Sequence, residues 1–276
     1  MHHFIASLVL DLLRLSVWLV LLMLIFVPLE RLSPRHKQKV FRREFLIDLL
    51  YYFLNSIVPK LLLVLPLSIL AWTVHRLEPI GFYTWVASLP VGTRLLLAII
   101  VGEFGAYWGH RWMHEIPLLW RFHAIHHSAK EMDWLVNTRA HPLDMFLTRL
   151  CGLVPIYLLG LAQPTGKTAD IVPLLYVVFG TIWSFFIHAN MCWRFGFLEK
   201  LIVTPAFHHW HHTNDGAEYI DKNYAAIFPW VDQIFGTFYL PKNRWPKKYG
   251  IDMPVASEIT GQLLQPLENI LFFRQQ

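Results

Sequence analysis

Histidine carries the chemistry of this chain. Of 276 residues, 15 are histidine, and eleven of those lie between His110 and His212. His110 and His114 stand at i and i+4, so on a helix they share a face and can aim two imidazoles at one metal ion. His123, His126 and His127 follow the i, i+3, i+4 pattern HxxHH. On an ideal helix the adjacent pair diverges by about 100°, so the two neighbours can serve two different metals. The triplet returns as His208, His211 and His212, just after Thr204 and Pro205, an N-cap and first-turn pair that should start a helix ahead of the ligands. Spacing alone also permits His209 to pair with His212; the full HxxHH favours His208.

An imidazole set without an obvious bridging carboxylate suits iron, copper or zinc. The eight clustered histidines outnumber what one ion takes, which points to two metals. His188 and His141 stand alone. The ordinary reading of His188 is a structural residue at a helix end, and that of His141 a turn residue before Pro142. His2, His3, His36 and His75 are isolated and carry no metal pattern. Glu103 and Tyr107 extend the His110/His114 face backwards as one polar stripe, read as facing lipid. An ionisable group at membrane depth is a functional signal. Position leaves open whether Glu103 bonds a neighbouring helix or supports an imidazole from behind.

Such ligands need rigid helices to hold them, and the composition says which kind. Hydrophobic residues make up 55% of the chain and charged ones 16%, against about 25% charged in a soluble domain. Mean hydropathy is +0.40. The apolar residues gather into runs near the length of about 20 that crosses a bilayer: Leu8–Leu29, Phe45–Val74, Arg94–His114, Phe146–Leu161 and Ile171–His188. The fourth is short enough to be half of a shallow hairpin turning at Gln163–Lys167. The expected architecture is all-α, an integral-membrane helical bundle of four to five spans, with a cytoplasmic histidine-rich helical cap holding a dimetal site. It reads as one membrane-embedded domain over 1–276, with N-terminal spans and a basic loop (1–93), a histidine-cluster region (94–240) and a tail (241–276).

The net charge of +5 does not imply nucleic acid, because six Lys/Arg residues sit in the single stretch Arg31–Arg43 beside two spans. Basic loops of that kind stay in the cytoplasm and meet anionic headgroups. With that loop inside, 75–93 is an external loop, and every clustered histidine falls on the cytoplasmic side. No cleavage site follows the first apolar run, which reads as a retained anchor. Cys151 and Cys192 have no CxxC spacing, so neither a disulfide framework nor a thiolate metal site is expected.

HxxxH, HxxHH, a later single histidine and HxxHH, in that order and membrane setting, resemble the fatty acid hydroxylase / sterol desaturase superfamily of membrane di-iron oxygenases. The resemblance covers roughly 95–240. Asn223–Thr237 is similar to the family's NYG…WDRLFGT segment, and Arg139–Pro142 to an R-x-HP element of bacterial members. It implies His110, His114, His123, His126, His127, His188, His208, His211 and His212 as iron ligands, with His141 a further one. Glu103, Asn190 and Asp232 are candidates for outer support. Trp230–Gln233 departs from the family's WDR by an inserted valine and no arginine, which removes any assumed salt bridge from Asp232.

The resemblance further implies two iron ions, O2 as co-substrate, and hydroxylation of an unactivated C–H bond in a membrane lipid, with desaturation as the alternative within the family. With no dinucleotide fingerprint, ferredoxin-type cysteines or haem module, electrons are expected from a separate reductase, ferredoxin or cytochrome. The basic face around Lys242, Arg244, Lys247 and Lys248 either docks that donor or touches lipid headgroups. A bis-histidine haem electron carrier is the competing class, and a zinc or copper sequestering protein a third. The expected location is a bacterial inner membrane.

Overall fold

Long apolar runs become long helices whose side chains stay uncovered. The structure, a computed structural model, describes residues 2–77, 80–162 and 171–272. Among these residues four helices are long and apolar enough to cross a membrane, Ile5–Leu32, Phe45–Val74, Val91–Glu115 and Ile171–His188. They lie in α1 (His2–Leu32), α2 (Phe45–Leu77), α4 (Val91–Glu115) and α7 (Ile171–His188). Leu24 and Leu65 are each 67% exposed, and whole faces of α1 and α2 repeat that exposure. Water would penalise such contiguous apolar surface; lipid does not. No strand occurs among the described residues, only the isolated bridges Pro34–Met191 and Thr213–Tyr249.

Two segments differ from the expectation. The 75–93 loop contains a helix, α3 (Ile80–Ser88). The fourth apolar run becomes α6 (Pro142–Leu158), 17 residues long, below the about 20 of a full crossing and as short as the half-hairpin reading expects. It begins four residues before the apolar run because His141 caps its first turn and Pro142 occupies N1, a position proline favours. The expected turn at Gln163–Lys167 lies outside the described residues.

Helix α6 packs closely along α4, and glycine makes the approach possible. A Cβ on Gly105 would collide with the Cys151 carbonyl, and one on Gly109 would lie 2.7 Å from the Cys151 Cβ. Beyond the spans, short helices close over one end of the bundle: α5 (Pro117–His127), α8 (Pro205–His211), α9 (Pro229–Phe235) and α10 (Ile259–Phe272). Two apolar clusters brace this end. Phe26, Tyr52, Trp134 and Phe185 join α1, α2 and α7, while Tyr107, Ile187, Phe207 and Tyr224 join α4, α7 and α8. The clustered histidines lie where these elements meet.

Candidate metal centre

Nine of the ten histidines singled out by spacing or resemblance come together in two adjoining groups. His110, His114, His123, His127 and His211 form one; His126, His188, His208 and His212 form the other, the candidate ligand atoms of each group lying within 4.8 Å of one another. The split follows from helix geometry. His126 and His127, adjacent on α5, diverge into different groups, and His211 and His212 do the same at the end of α8. A doublet on a helix is thus how one element serves two centres.

The rings are oriented from behind. His110 Nδ1 donates to the Tyr224 carbonyl at 2.8 Å, and His211 Nδ1 to the Lys222 carbonyl at 2.8 Å. His126 Nδ1 donates to the Arg139 carbonyl at 2.9 Å, and His188 Nδ1 to the Ser184 carbonyl at 2.8 Å. Carboxylates take the same role for His123 (Asp144, 3.0 Å) and His114 (Asp221, 3.1 Å). Each ring that spends its proton on Nδ1 leaves Nε2 as a bare lone pair.

Those lone pairs then face each other. Nε2 of His110 lies 3.1 Å from Nε2 of His123, and Nε2 of His126 lies 3.3 Å from Nε2 of His188. No proton is left to bridge either pair. His114, His127 and His211 each bury an Nε2 with no partner, an arrangement costly in a dry interior unless a cation completes it. Protonation is an unfavourable remedy outside the spans. Burial, reinforced by neighbouring imidazoles, pushes His126 down to about 4 and His127, His208, His211 and His212 well below their ordinary value. Neutral, converging imidazoles fit divalent transition metals.

Two histidines lie apart. His141 is not brought to either group, because its ring is used at the head of α6. Its Nδ1 accepts from Leu143 N–H at 3.1 Å, and its Nε2 meets the Leu263 carbonyl of α10 at 3.2 Å. His209 points the opposite way from His208, taking the Tyr249 hydroxyl at 2.9 Å and donating to the Ala189 carbonyl at 3.1 Å.

The three outer candidates all bind backbone. Glu103 does not face lipid: it is 2% exposed and accepts N–H bonds from Ile227 (2.8 Å) and Phe228 (3.1 Å), since a carboxyl at that depth needs donors. Asp232 accepts from Tyr224 N–H, Ala225 N–H and the Thr237 hydroxyl at 2.8, 2.9 and 2.6 Å. It thereby fixes the peptide whose carbonyl orients His110. Burial raises its carboxyl to about 6. Asn190 ties the end of α7 to the basic loop, its side chain exchanging two bonds with the His36 backbone.

Spacing missed a second layer. Asp144 is buried in the first turn of α6, where an acid reads as a helix-dipole residue; its position three residues after His141 gives no sign that it meets His123. Burial alone would raise its carboxyl, but the adjacent imidazoles, His123 first, hold it below the usual range. On α2, Asn55 donates to both the Thr138 and Ala140 carbonyls, at 2.9 and 2.8 Å. Asp48 binds Arg139 Nε at 2.5 Å and also pairs with Arg42, which reaches Asp133 at 2.6 Å. This buried network clamps residues 138–140, and the Arg139 carbonyl in their middle orients His126.

The family model for fatty acid hydroxylases matches residues 95–237, just over half of the chain. An ornithine lipid hydroxylase of Rhizobium tropici is 34% identical over 186 residues, covering 66% of this chain and 53% of that protein. Human alkylglycerol monooxygenase is 31% identical over 156 residues, 55% of this chain and 32% of the relative. A Delta(7)-sterol 5(6)-desaturase of Gibberella zeae is 26% identical over 177 residues, 60% of this chain and 46% of the relative. The matches span about half or less of each relative's length. No solved structure matches the chain.

Proposed function

The chain belongs to the fatty acid hydroxylase family, and on that premise we propose that it is an O2-dependent membrane oxidoreductase that hydroxylates an unactivated C–H bond of a lipid. The observation that carries this is the pairing of two histidine groups whose bare Nε2 lone pairs converge. Two iron ions held there, one by each group, would supply reductive activation of O2 and the oxidising power to remove an unactivated hydrogen.

The chain's own residues do the rest. Backbone carbonyls and carboxylates keep the Nδ1 protons, which fixes ring orientation and raises ligand basicity. Apolar packing from Phe26, Trp134, Phe185, Tyr107 and Phe207 keeps bulk water from the centre. The uncovered faces of α1 and α2 keep lipid chains beside it. A haem carrier is disfavoured by ring packing: His188 and His208 centroids stand 4.3 Å apart and His126 and His188 5.2 Å, with no room for a porphyrin between axial ligands.

Desaturation is the second reading, favoured by the similarity to the Gibberella zeae desaturase; both outcomes use the same centre. The loop charges support a centre on the cytoplasmic side, and the R-x-HP element Arg139–Pro142 together with the Rhizobium tropici relative supports a bacterial inner membrane. Consistent with this, the basic loop and the metal groups share one end of the bundle, joined by Asn190 and His36. A separate reductase, ferredoxin or cytochrome supplies electrons at the exposed Lys242, Arg244, Lys247 and Lys248.

Metal analysis with an optical spectrum of the purified protein, followed by lipid mass spectrometry under 18O2, tests the reading. Two irons per chain without a Soret band and an 18O-labelled lipid are expected. One haem, or no labelled product, overturns it.

A further inference from the structure

Where α1 leaves its apolar stretch, a cavity of about 490 Å³ opens between the basic loop, residues 133–134 and Asn190. Its walls carry both signs of charge. Arg31, His36, Lys37 and Lys39 stand with Glu30 and Asp133 around the same space, Asp133 being engaged by Arg42. Lys37 and Lys39 are exposed, and no carboxylate pairs with either among the described residues. Arg31 folds across towards the loop, donating to the Gln38 carbonyl at 2.8 Å, and His36 keeps a buried Nε2 without a partner.

Glu30 is fixed rather than mobile. Its Oε1 accepts the N–H groups of Trp134 and Asn190, both at 2.8 Å, while Oε2 has no bond among the described residues. The carboxylate is therefore held at the cavity wall with one oxygen available.

The location adds a second constraint. Leu24 and Ile25, 67% and 49% exposed, lie on the lipid-facing surface of α1, and Glu30 follows Leu24 by six residues, about 9 Å along the axis. An acyl chain lying along α1 would thus bring its polar head to the level of the cavity. Asn190, in the cavity wall, is two residues past His188 of the four-histidine group. Trp134, also in the wall, stacks on Phe26 and packs on Phe185, one turn before His188.

We propose that this cavity receives the polar head of a zwitterionic membrane lipid, its phosphate or carboxylate among Arg31, Lys37 and Lys39 and its ammonium against Glu30. The inference rests on the lipid-hydroxylase reading and narrows its substrate class to amine-bearing, anion-bearing lipids, setting aside sterols and neutral glycerides. A purely anionic head would leave the free Glu30 oxygen without a donor, and an uncharged head would leave the lysines without a counter-charge.

Native mass spectrometry of the full-length protein, offered phosphatidylethanolamine, phosphatidylglycerol and diacylglycerol with the same acyl chains, tests it. Phosphatidylethanolamine should be retained best and diacylglycerol least. The variant Lys37→Glu/Lys39→Glu, built on exposed side chains, should lower phosphatidylethanolamine retention by about tenfold or more, on the scale of surface cations at a headgroup. Glu30→Gln keeps the acceptor for Trp134 and Asn190 but should erase the preference over phosphatidylglycerol. Equal retention of all three lipids overturns the proposal, as does a double-lysine variant indistinguishable from wild type. Inorganic phosphate bound as tightly as the lipid would show a free-anion site and overturn it too. The 18O2 assay on the same preparations separates the claims. Labelled lipid with unchanged retention in the variants defeats the cavity assignment alone; selective retention without labelled product defeats the hydroxylase reading.

Discussion

The two histidine groups are built from the same residue type and share α5 and α8, while α4 serves only the five-histidine group and α7 only the four-histidine group, and they are supported differently. The four-histidine group is buried throughout, and the outer partners of His126 and His188 are backbone carbonyls. In the five-histidine group His123 and His114 lean on carboxylates instead, one buried (Asp144) and one at the surface (Asp221, side chain 56% exposed). A carbonyl orients a ring; a carboxylate also adds charge and raises its basicity. The four-histidine group is therefore a sealed, neutral site with no ligand to spare. Its neighbour has a surplus ligand, negative support and an edge near solvent.

Acid should remove that difference and gives the largest effect. For histidines whose folded value is depressed below the ordinary 6.5, as His126 is to about 4, the unfolded chain binds more protons in that window. Stability is then fully present above about pH 6.5 and is lost as pH falls towards 4. Metal content and helicity, followed together during acidification, should fall together. One group emptying while the helices persist would show that its rings are less buried than described. Removing single ligands restores the contrast. His208→Ala leaves three imidazoles in its group and should empty it, taking iron from about two to about one per chain, an effect beyond the roughly 10–100-fold cost of losing an outer partner. His127→Ala leaves four and should keep its metal. Equal loss from both variants would break the asymmetry.

Asp144→Asn asks whether negative support matters by itself. The amide keeps the shape and removes the charge behind His123, so metal affinity of the five-histidine group should drop by about 10–100-fold while the other group is unaffected, as read by chelator competition.

The same comparison shows what could be read in advance. Eight of the nine converging histidines were legible from spacing, because it encodes which face of a helix a ring occupies, and even the splitting of His126 from His127 follows from the 100° step; His188, alone at the end of α7, was implied only by the family resemblance. His141 shared the residue type but not a cluster; its Nδ1 caps Leu143 two residues on, and its Nε2 bond to Leu263 of α10 lies far away in sequence. Asp48, Asn55, Asp144 and Asp221 carry no spacing relation to the rings they support. Their roles arise from contacts such as Asn55 to Thr138 and Ala140, 83 and 85 residues apart, which no local pattern reports. The apolar runs located the four crossing helices but not α3 or α10, since short helices are set by what they pack against.

Asn55→Ala tests the sealed group from its far side. Two buried carbonyls lose their donor, which costs about 1–3 kcal/mol for each left unsatisfied, and the Arg139 carbonyl loses its fixed direction towards His126. A lowered midpoint of thermal unfolding should come with weaker metal retention in the four-histidine group alone. Equal weakening of both groups would mean that α2 supports the bundle without orienting His126.

The smallest effect is expected from Asp221→Asn, and its smallness is what makes it informative. Asp221 and Asp144 make the same contact, a carboxylate behind an Nδ1 of the same group, at 3.1 and 3.0 Å. They differ in burial: the Asp221 side chain is 56% exposed and that of Asp144 only 4%. Water and salt screen the exposed pair, so its contribution should lie within about 0–1 kcal/mol, at most a fivefold change in affinity, and should shrink further as ionic strength rises. Measured by chelator competition at low and high salt, Asp144→Asn should exceed Asp221→Asn by at least about twofold, and by more as salt rises, while itself being insensitive to salt. If the two variants weaken metal binding equally, charge behind the ring does not depend on burial here, and the contrast between a sealed and a solvent-edged group loses its electrostatic basis.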